Sequence, residues 1–189
     1  MRRGTLIVLA GPSGVGKGSV VARVRFRDPE GLAVSISATT RPMRVGETDG
    51  IDYLFVDDAE FDRMIADGEL LEWAEVYRGR RYGTPRSFVD SALADGRDVV
   101  LEIDVQGAAQ VRAQAPDAVL ILLTPPSMAA LEARLRGRGT EDEASVAERL
   151  AAAAEELEQA GWFDHVVVND DVVQAADEVA AIIEASRTR

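Results

Sequence analysis

Residues 6–19 read LIVLAGPSGVGKGS, and the order of residue types in them decides the fold. Residues 6–10 form an unbroken apolar run of strand length, the pattern of a strand covered on both faces. The run breaks at Gly11, and Gly11, Gly14 and Gly16 permit a tight turn whose backbone amides point inward at an anion. Lys17 adds a mobile positive charge. Val20, Val21 and Val24 then fall at helical spacing, so a helix beginning near Lys17 aims its positive dipole end at the same spot. G-x-x-x-x-G-K is met in full by Gly11, Gly16 and Lys17, and a strand before it with a helix after it supplies the context that gives the motif meaning. Gly11, Pro12, Ser13, Gly14, Val15, Gly16, Lys17, Gly18 and Ser19 are therefore expected to cradle the phosphates of a nucleoside triphosphate.

The residue after the motif lysine is usually Ser or Thr; here it is Gly18, with Ser19 next. The hydroxyl offered to magnesium is displaced by one position. A similar Lys-Gly-Thr ending occurs in adenylate kinases. It suggests a small phosphotransferase whose Mg²⁺ is held through water, rather than a GTPase-like switch.

At 189 residues, 47% of them hydrophobic, the chain has the length of one domain and ample material for a core. The absence of cysteine excludes disulfides, thiolate metal sites and a thiol nucleophile, and the single histidine, His165, excludes a histidine-clustered zinc and reads as structural. Catalysis must rest on lysine, arginine and carboxylates. No apolar run approaches the roughly 20 residues of a membrane span, and the opening MRRGTLIVLAGPSG reads as a strand rather than a signal peptide, so a cytoplasmic location without membrane contact is expected. A net charge of −12 repels nucleic acid and favours a small nucleotide as the anionic partner. The oligomeric state is not legible.

Further apolar runs at 33–37, 99–103, 119–123 and 166–168 alternate with helical patterns at 106–114, 127–136, 143–160 and 172–186. That alternation predicts a parallel α/β sheet. Thr140 and Glu143 form a capping box for the long helix. Between about 38 and 90 the alternation stops, and two strand-like runs, one short helix and several polar turns predict a small inserted α+β unit. Trp73 and Trp162 read as core.

SATTRPMRVGETDGIDYLF (37–55), LLEWAEVY (70–77), RRYGT (80–84), VVLEIDVQG (99–107), LRGRGTE (135–141), ERLAAAAEEL (148–157) and VVVNDD (166–171) resemble the guanylate kinases, in order and at the family's spacing. With GPSGVGKGS the resemblance spans nearly the whole chain. It implies a P-loop NTPase fold, three layers around a parallel sheet, in a single domain. The core would be 1–37 and 91–189, with an inserted GMP-binding subdomain at about 38–90 and a helical lid at about 134–149. The implied activity is Mg²⁺-dependent, reversible transfer of the ATP γ-phosphoryl to GMP, giving ADP and GDP.

The resemblance also implies roles. Arg41, Arg44, Tyr53 and Tyr82 match positions that grip the phosphate of GMP, chemistry to which arginine pairs are suited. Glu72 matches the guanine reader: a carboxylate can accept from both the ring N–H and the exocyclic amino group, and adenine offers neither donor there. Ser37 and Thr84 would complete the ring contacts. A site built on such hydrogen bonds rejects an analogue lacking them by about 10⁴ or more. Glu102 and Asp104 follow an apolar strand and fall where doubly wound sheets place their sites; two apart on a strand, they would face the same way. Asp104 is expected at GMP, and Ser19, Glu102 and Asp104 at the waters of Mg²⁺. The RGRGT segment resembles a lid that closes over ATP, with Arg134 and Arg138, joined by Arg149 from the next helix, neutralising the transferring phosphoryl. Asn169 would line the adenine pocket, with Asp170 beside it. Two rival readings are a P-loop kinase of a phosphorylated sugar, which would have no use for Ser37, Glu72 and Thr84 as a set, and a scaffolding domain of similar fold, which would carry a degraded cradle.

Overall fold

A computed structural model describes residues 2–76, 79–137 and 143–187. In chain order the described elements are β1 (Leu6–Ala10), α1 (Lys17–Arg27), β2 (Leu32–Val34), β3 (Ala38–Thr39), β4 (Leu54–Phe55), α2 (Asp58–Ala66), β5 (Leu70–Val76), β6 (Arg80–Pro85), α3 (Arg86–Ala94), β7 (Asp98–Glu102), α4 (Val105–Gln114), β8 (Val119–Thr124), α5 (Met128–Gly137), α6 (Glu143–Glu158), a 3₁₀ turn at Gln159–Trp162, β9 (His165–Val168) and α7 (Val172–Ser186).

Five strands form one parallel sheet in the order β2-β7-β1-β8-β9. Leu6 to Leu9 pair with Val99 to Glu102 on one side of β1, and Ile7 to Ala10 with Val119 to Leu122 on the other. Alternate residues of each strand serve different cores. Val8, Leu101, Leu120 and Leu122 meet Val89 and Leu93 of α3 and Ala108 and Val111 of α4. Ile7, Leu9, Ile121 and Leu123 meet Val20, Val21 and Val24 of α1 and Val179 and Ile183 of α7. Helices cover both faces, which is why these strands read as continuous apolar runs rather than alternating ones. The chain passes from β7 on one flank of β1 to β8 on the other. Ligand crevices of open α/β sheets lie at the carboxyl ends of strands where the order switches in this way.

The strand expected at 33–37 is shorter. After Ser35 donates its amide to the Val100 carbonyl (3.0 Å) the chain leaves the sheet, and Ser37 stands just before β3. The region beyond builds a second, mixed sheet of four strands, β4-β3-β6-β5, rather than two strand runs; β3 and β4 are parallel, the other pairs antiparallel. Helix α2 lays Phe61 and Met64 on Ala38 and Leu70 of this sheet. Trp73 is not core: the alternation of β5 puts it on the face opposite Glu72, 38% exposed, its ring in a T-shaped pair with Phe61 at 6.5 Å. Trp162 is partly buried, stacked on Phe163 at 4.2 Å between ring centres. Helix α3, unforeseen, buries Val89, Ala92 and Leu93. Thr140 of the expected capping box lies outside the described residues.

Candidate active site

Gly11 and Gly16 adopt φ of 141° and 103°. A Cβ on Gly11 would lie 2.3 Å from the Leu123 carbonyl oxygen, and one on Gly16 would lie 2.5 Å from Asn169 Nδ2, so neither position admits a side chain. Gly16 is also the N-cap of α1, with no side-chain cap and no acidic residue in the first turn. The amides and dipole at that helix end are left for an anion. Lys17 Nζ donates to the carbonyl oxygens of Gly11 and, at 3.3 Å, Pro12.

The loop is braced from outside. Val15 is fully buried, and its carbonyl accepts from Asn169 Nδ2 (2.8 Å) and Arg134 Nη1 (3.2 Å). Arg134 Nη2 donates to the Asn169 carbonyl at 2.8 Å. Arg134 and Asn169, expected at the phosphoryl group and the adenine, are thus placed as struts of the loop. Asn169 Oδ1 is buried without a hydrogen-bond partner. Arg149 Nη1 donates to Ser13 Oγ at 2.6 Å, so α6 does reach the loop. Arg138 lies outside the described residues.

Gly18 and Ser19 are exposed in the first turn of α1, and a Cβ on Gly18 would stand 3.5 Å from Glu102 Oε2. Burial raises the pKa of Glu102, against the pull of Lys17. Asp104 departs from the expected strand pair: β7 ends at Glu102, and Asp104 is the N-cap of α4, its Oδ1 accepting from the Gly107 amide at 2.7 Å. A cap fixes its direction, not the pleat of a strand. Glu156 of α6, to which no motif gives a role, is half-buried, and burial, with the Lys17 charge opposing and the Asp104 charge adding, pushes its carboxyl up to about 7; its Oε2 has no hydrogen-bond partner.

The second sheet supplies the other half. Glu72 on β5 pairs with Thr84 on β6, and Thr84 Oγ1 donates to Glu72 Oε1 at 2.6 Å. Ser37 stands one residue before the Ala38–Gly83 pair, so the antiparallel ladder sets it beside Thr84. Tyr82, two residues back along β6, shares their face. Tyr82 and Tyr53 meet edge to face at 6.0 Å. The Arg41 guanidinium lies 4.9 Å above the Tyr53 ring, held in a bidentate pair by Glu47. Arg44 is exposed on the turn beyond. Glu72 itself is 4% exposed, and burial, with the Asp104 charge adding to it and Thr84 opposing, pushes its carboxyl up to about 7.

A glycine loop joining the central strand to a helix, at the carboxyl edge of a parallel sheet covered on both faces, defines a P-loop nucleotide-binding fold. The comparisons with known proteins narrow the class. A sequence model described as guanylate kinase matches residues 3–186. Guanylate kinase of Leifsonia xyli is 57% identical over 96% of this chain and 71% of its own length, and that of Thermobifida fusca is 54% identical over 97% and 93%. The crystal structure of guanylate kinase from Anaplasma phagocytophilum superposes with a TM-score of 0.82 at 33% identity, covering all of this chain and 88% of that one. The chain belongs to the guanylate kinase family. It is a kinase, and phosphoryl transfer to a nucleoside monophosphate is its class of reaction. Among the described residues no helix is long and apolar enough to cross a membrane.

Proposed function

We propose that this enzyme transfers the γ-phosphoryl of ATP to GMP, reversibly and with Mg²⁺, giving ADP and GDP. The carrying observation is Glu72: a buried carboxylate, one oxygen fixed by Thr84, on the same sheet face as the Arg41, Tyr53 and Tyr82 group. One end suits a purine with adjacent N–H donors, the other a phosphate. Residues 38–90 thereby serve as the GMP-binding unit, 1–37 and 91–189 as the core, and 134–149 as the lid over ATP. The setting is the cytoplasm.

Ser19, Glu102 and the remaining oxygen of Asp104 are hard donors of the type Mg²⁺ prefers. Among the described residues no group of three or more acidic or histidine side chains could hold a metal. The set therefore fits an ion that arrives with ATP and keeps its water; when bound, it neutralises the β- and γ-phosphate charge. An anionic oxygen of the GMP phosphate attacks the γ-phosphorus, the bond to the β–γ bridging oxygen breaks, and its electron pair stays on ADP. No base is required, because the attacking oxygen already carries charge. Gly11 to Ser19 hold the triphosphate, Lys17 follows the migrating charge, Arg138 and Arg149 supply further cations, and Arg134 adds its charge from where it braces the loop on the Val15 and Asn169 carbonyls. Asn169, whose Oδ1 is buried without a hydrogen-bond partner, lines the adenine side of the pocket.

Lys17→Ala tests the cradle. In a coupled ADP-release assay turnover should fall by about 10²- to 10³-fold while calorimetry still registers GMP binding. Unchanged turnover would remove the loop from the reaction.

A further inference from the structure

We propose that Glu47 is a positioning residue for the acceptor phosphate: it grips the Arg41 guanidinium end-on and so leaves that guanidinium's side edge, Nε and the outer Nη2 hydrogen, for GMP. The inference rests on the assignment of Arg41 to GMP made above.

The hydrogen-bond count on Arg41 is the starting point. A guanidinium carries five N–H donors in a fixed plane. Nη1 donates to Glu47 Oε2 (2.8 Å) and to the Pro42 carbonyl (2.9 Å), and Nη2 donates to Glu47 Oε1 (2.8 Å). Three donors are committed, all toward the turn, and the two left form the other fork of the guanidinium, which suits two phosphate oxygens. The side chain is 3% exposed against 19% for Glu47, and it lies over Tyr53 at 4.9 Å and Phe55 at 5.4 Å, so the plane of the fork is held as well as its direction. Tyr53 in turn meets Tyr82 edge to face at 6.0 Å, so the ring that holds the guanidinium plane is itself held.

Glu47 has a second task. Its Oε2 also accepts from the Arg44 amide at 2.7 Å, while the Glu47 amide donates to the Arg44 carbonyl at 3.1 Å. One carboxylate ties the backbone of Arg44 to the side chain of Arg41, so both arginines of the pair are set by the same group. With two arginines and one glutamate the set keeps a net single positive charge. A phosphate that displaced Glu47 would break the bond to the Arg44 amide as well as the pair with Arg41. Glu47 therefore stays in place when the phosphate arrives.

The test is a cycle of variants, Glu47→Ala, Glu47→Gln, Arg41→Ala and the Arg41→Ala/Glu47→Ala double, assayed by ADP release with GMP varied at saturating ATP. Glu47→Ala should raise the KM for GMP roughly 10- to 100-fold, with kcat and the KM for ATP within about threefold of the parent. Glu47→Gln, which keeps the shape and one acceptor, should show a smaller rise, and the double variant should be worse than Arg41→Ala by less than the factor Glu47→Ala shows alone, because only the hold on Arg44 is then left to lose. A lowered KM in Glu47→Ala, meaning that the carboxylate competes with substrate, or independent effects multiplying in the double variant, would overturn the inference. If Glu47→Ala melts below the assay temperature, the same cycle is read on Glu47→Gln. A parent that does not phosphorylate GMP, or a KM indifferent to Arg41→Ala, would instead sink the functional reading itself; a KM sensitive to Arg41 but not to Glu47 sinks only this one.

Discussion

With a carboxyl pushed up to about 7, Glu72 holds a proton in the folded chain over a range where the unfolded chain, near 4.5, has lost it. An acid whose folded pKa is raised contributes stability at low pH that is lost as pH climbs from about 4.5 through 7. Glu72→Gln should therefore raise the melting temperature at pH 8 and raise it less at pH 5, a comparison that differential scanning calorimetry makes directly. The same variant should lose about 10²-fold in kcat/KM with GMP and narrow the gap to AMP, because an amide cannot accept from two adjacent donors. On the proposed reading guanine donors favour the ionised carboxylate, so stability would be traded for recognition at this residue. Glu72, Thr84, Tyr53, Tyr82 and Arg41 were all legible in the sequence because each matched a motif position. Glu47 lies in the same stretch, 37–55, but has no local signature, because its contact with Arg41 exists only once the turn brings it back.

At the scale of elements, the first turn of α4 decides how closely the two sheets meet at the site. A Cβ on Gly107 would stand 2.5 Å from Glu72 Oε2, and the Gly107 amide is what Asp104 caps. Gly107→Ala should push the Glu72 carboxylate aside and cost about 10²-fold in kcat/KM for GMP, while the KM for ATP stays within about twofold; steady-state kinetics with each substrate varied in turn checks it. Long, strongly patterned elements could be read from the chain: β1, β8, α1 and α7 stand close to where periodicity put them. The two-residue strands β3 and β4 could not, since their pairing is set by partners 16 or more positions away rather than by any local pattern. Asp104 reads as a strand residue for a similar reason. Nothing in VVLEIDVQG marks where β7 stops and the cap begins.

Across the whole molecule, the amino ends of the strands are fastened far from the chemistry. Asp98, 1% exposed at the start of β7, accepts from Arg2 near one terminus, from Arg187 Nε (2.7 Å) near the other, and from the Thr5 amide (2.7 Å). Asp98→Ala removes a buried acceptor shared by Arg2, Arg187 and the Thr5 amide, leaves Arg187 with Asp28 alone, and should cost about 3 kcal/mol, a fall of roughly 6–12 °C in melting temperature, with kcat unchanged because the cradle lies at the opposite ends of the same strands. Calorimetry and the ADP-release assay together check both halves. The clasp was invisible in the sequence, being a contact among residues 2, 98 and 187, whereas the nucleotide cradle was written in fourteen consecutive residues. What joins them is one sheet that carries a glycine loop at one edge and faces the second sheet, to which the proposal assigns guanine. The most direct measurement is the steady-state rate of ADP release from ATP and Mg²⁺ with GMP, AMP, CMP and UMP offered in turn. GMP alone should be a good acceptor, favoured by about 10⁴ or more over AMP. Equal rates with AMP, or release no faster with GMP than with no acceptor, would contradict the account.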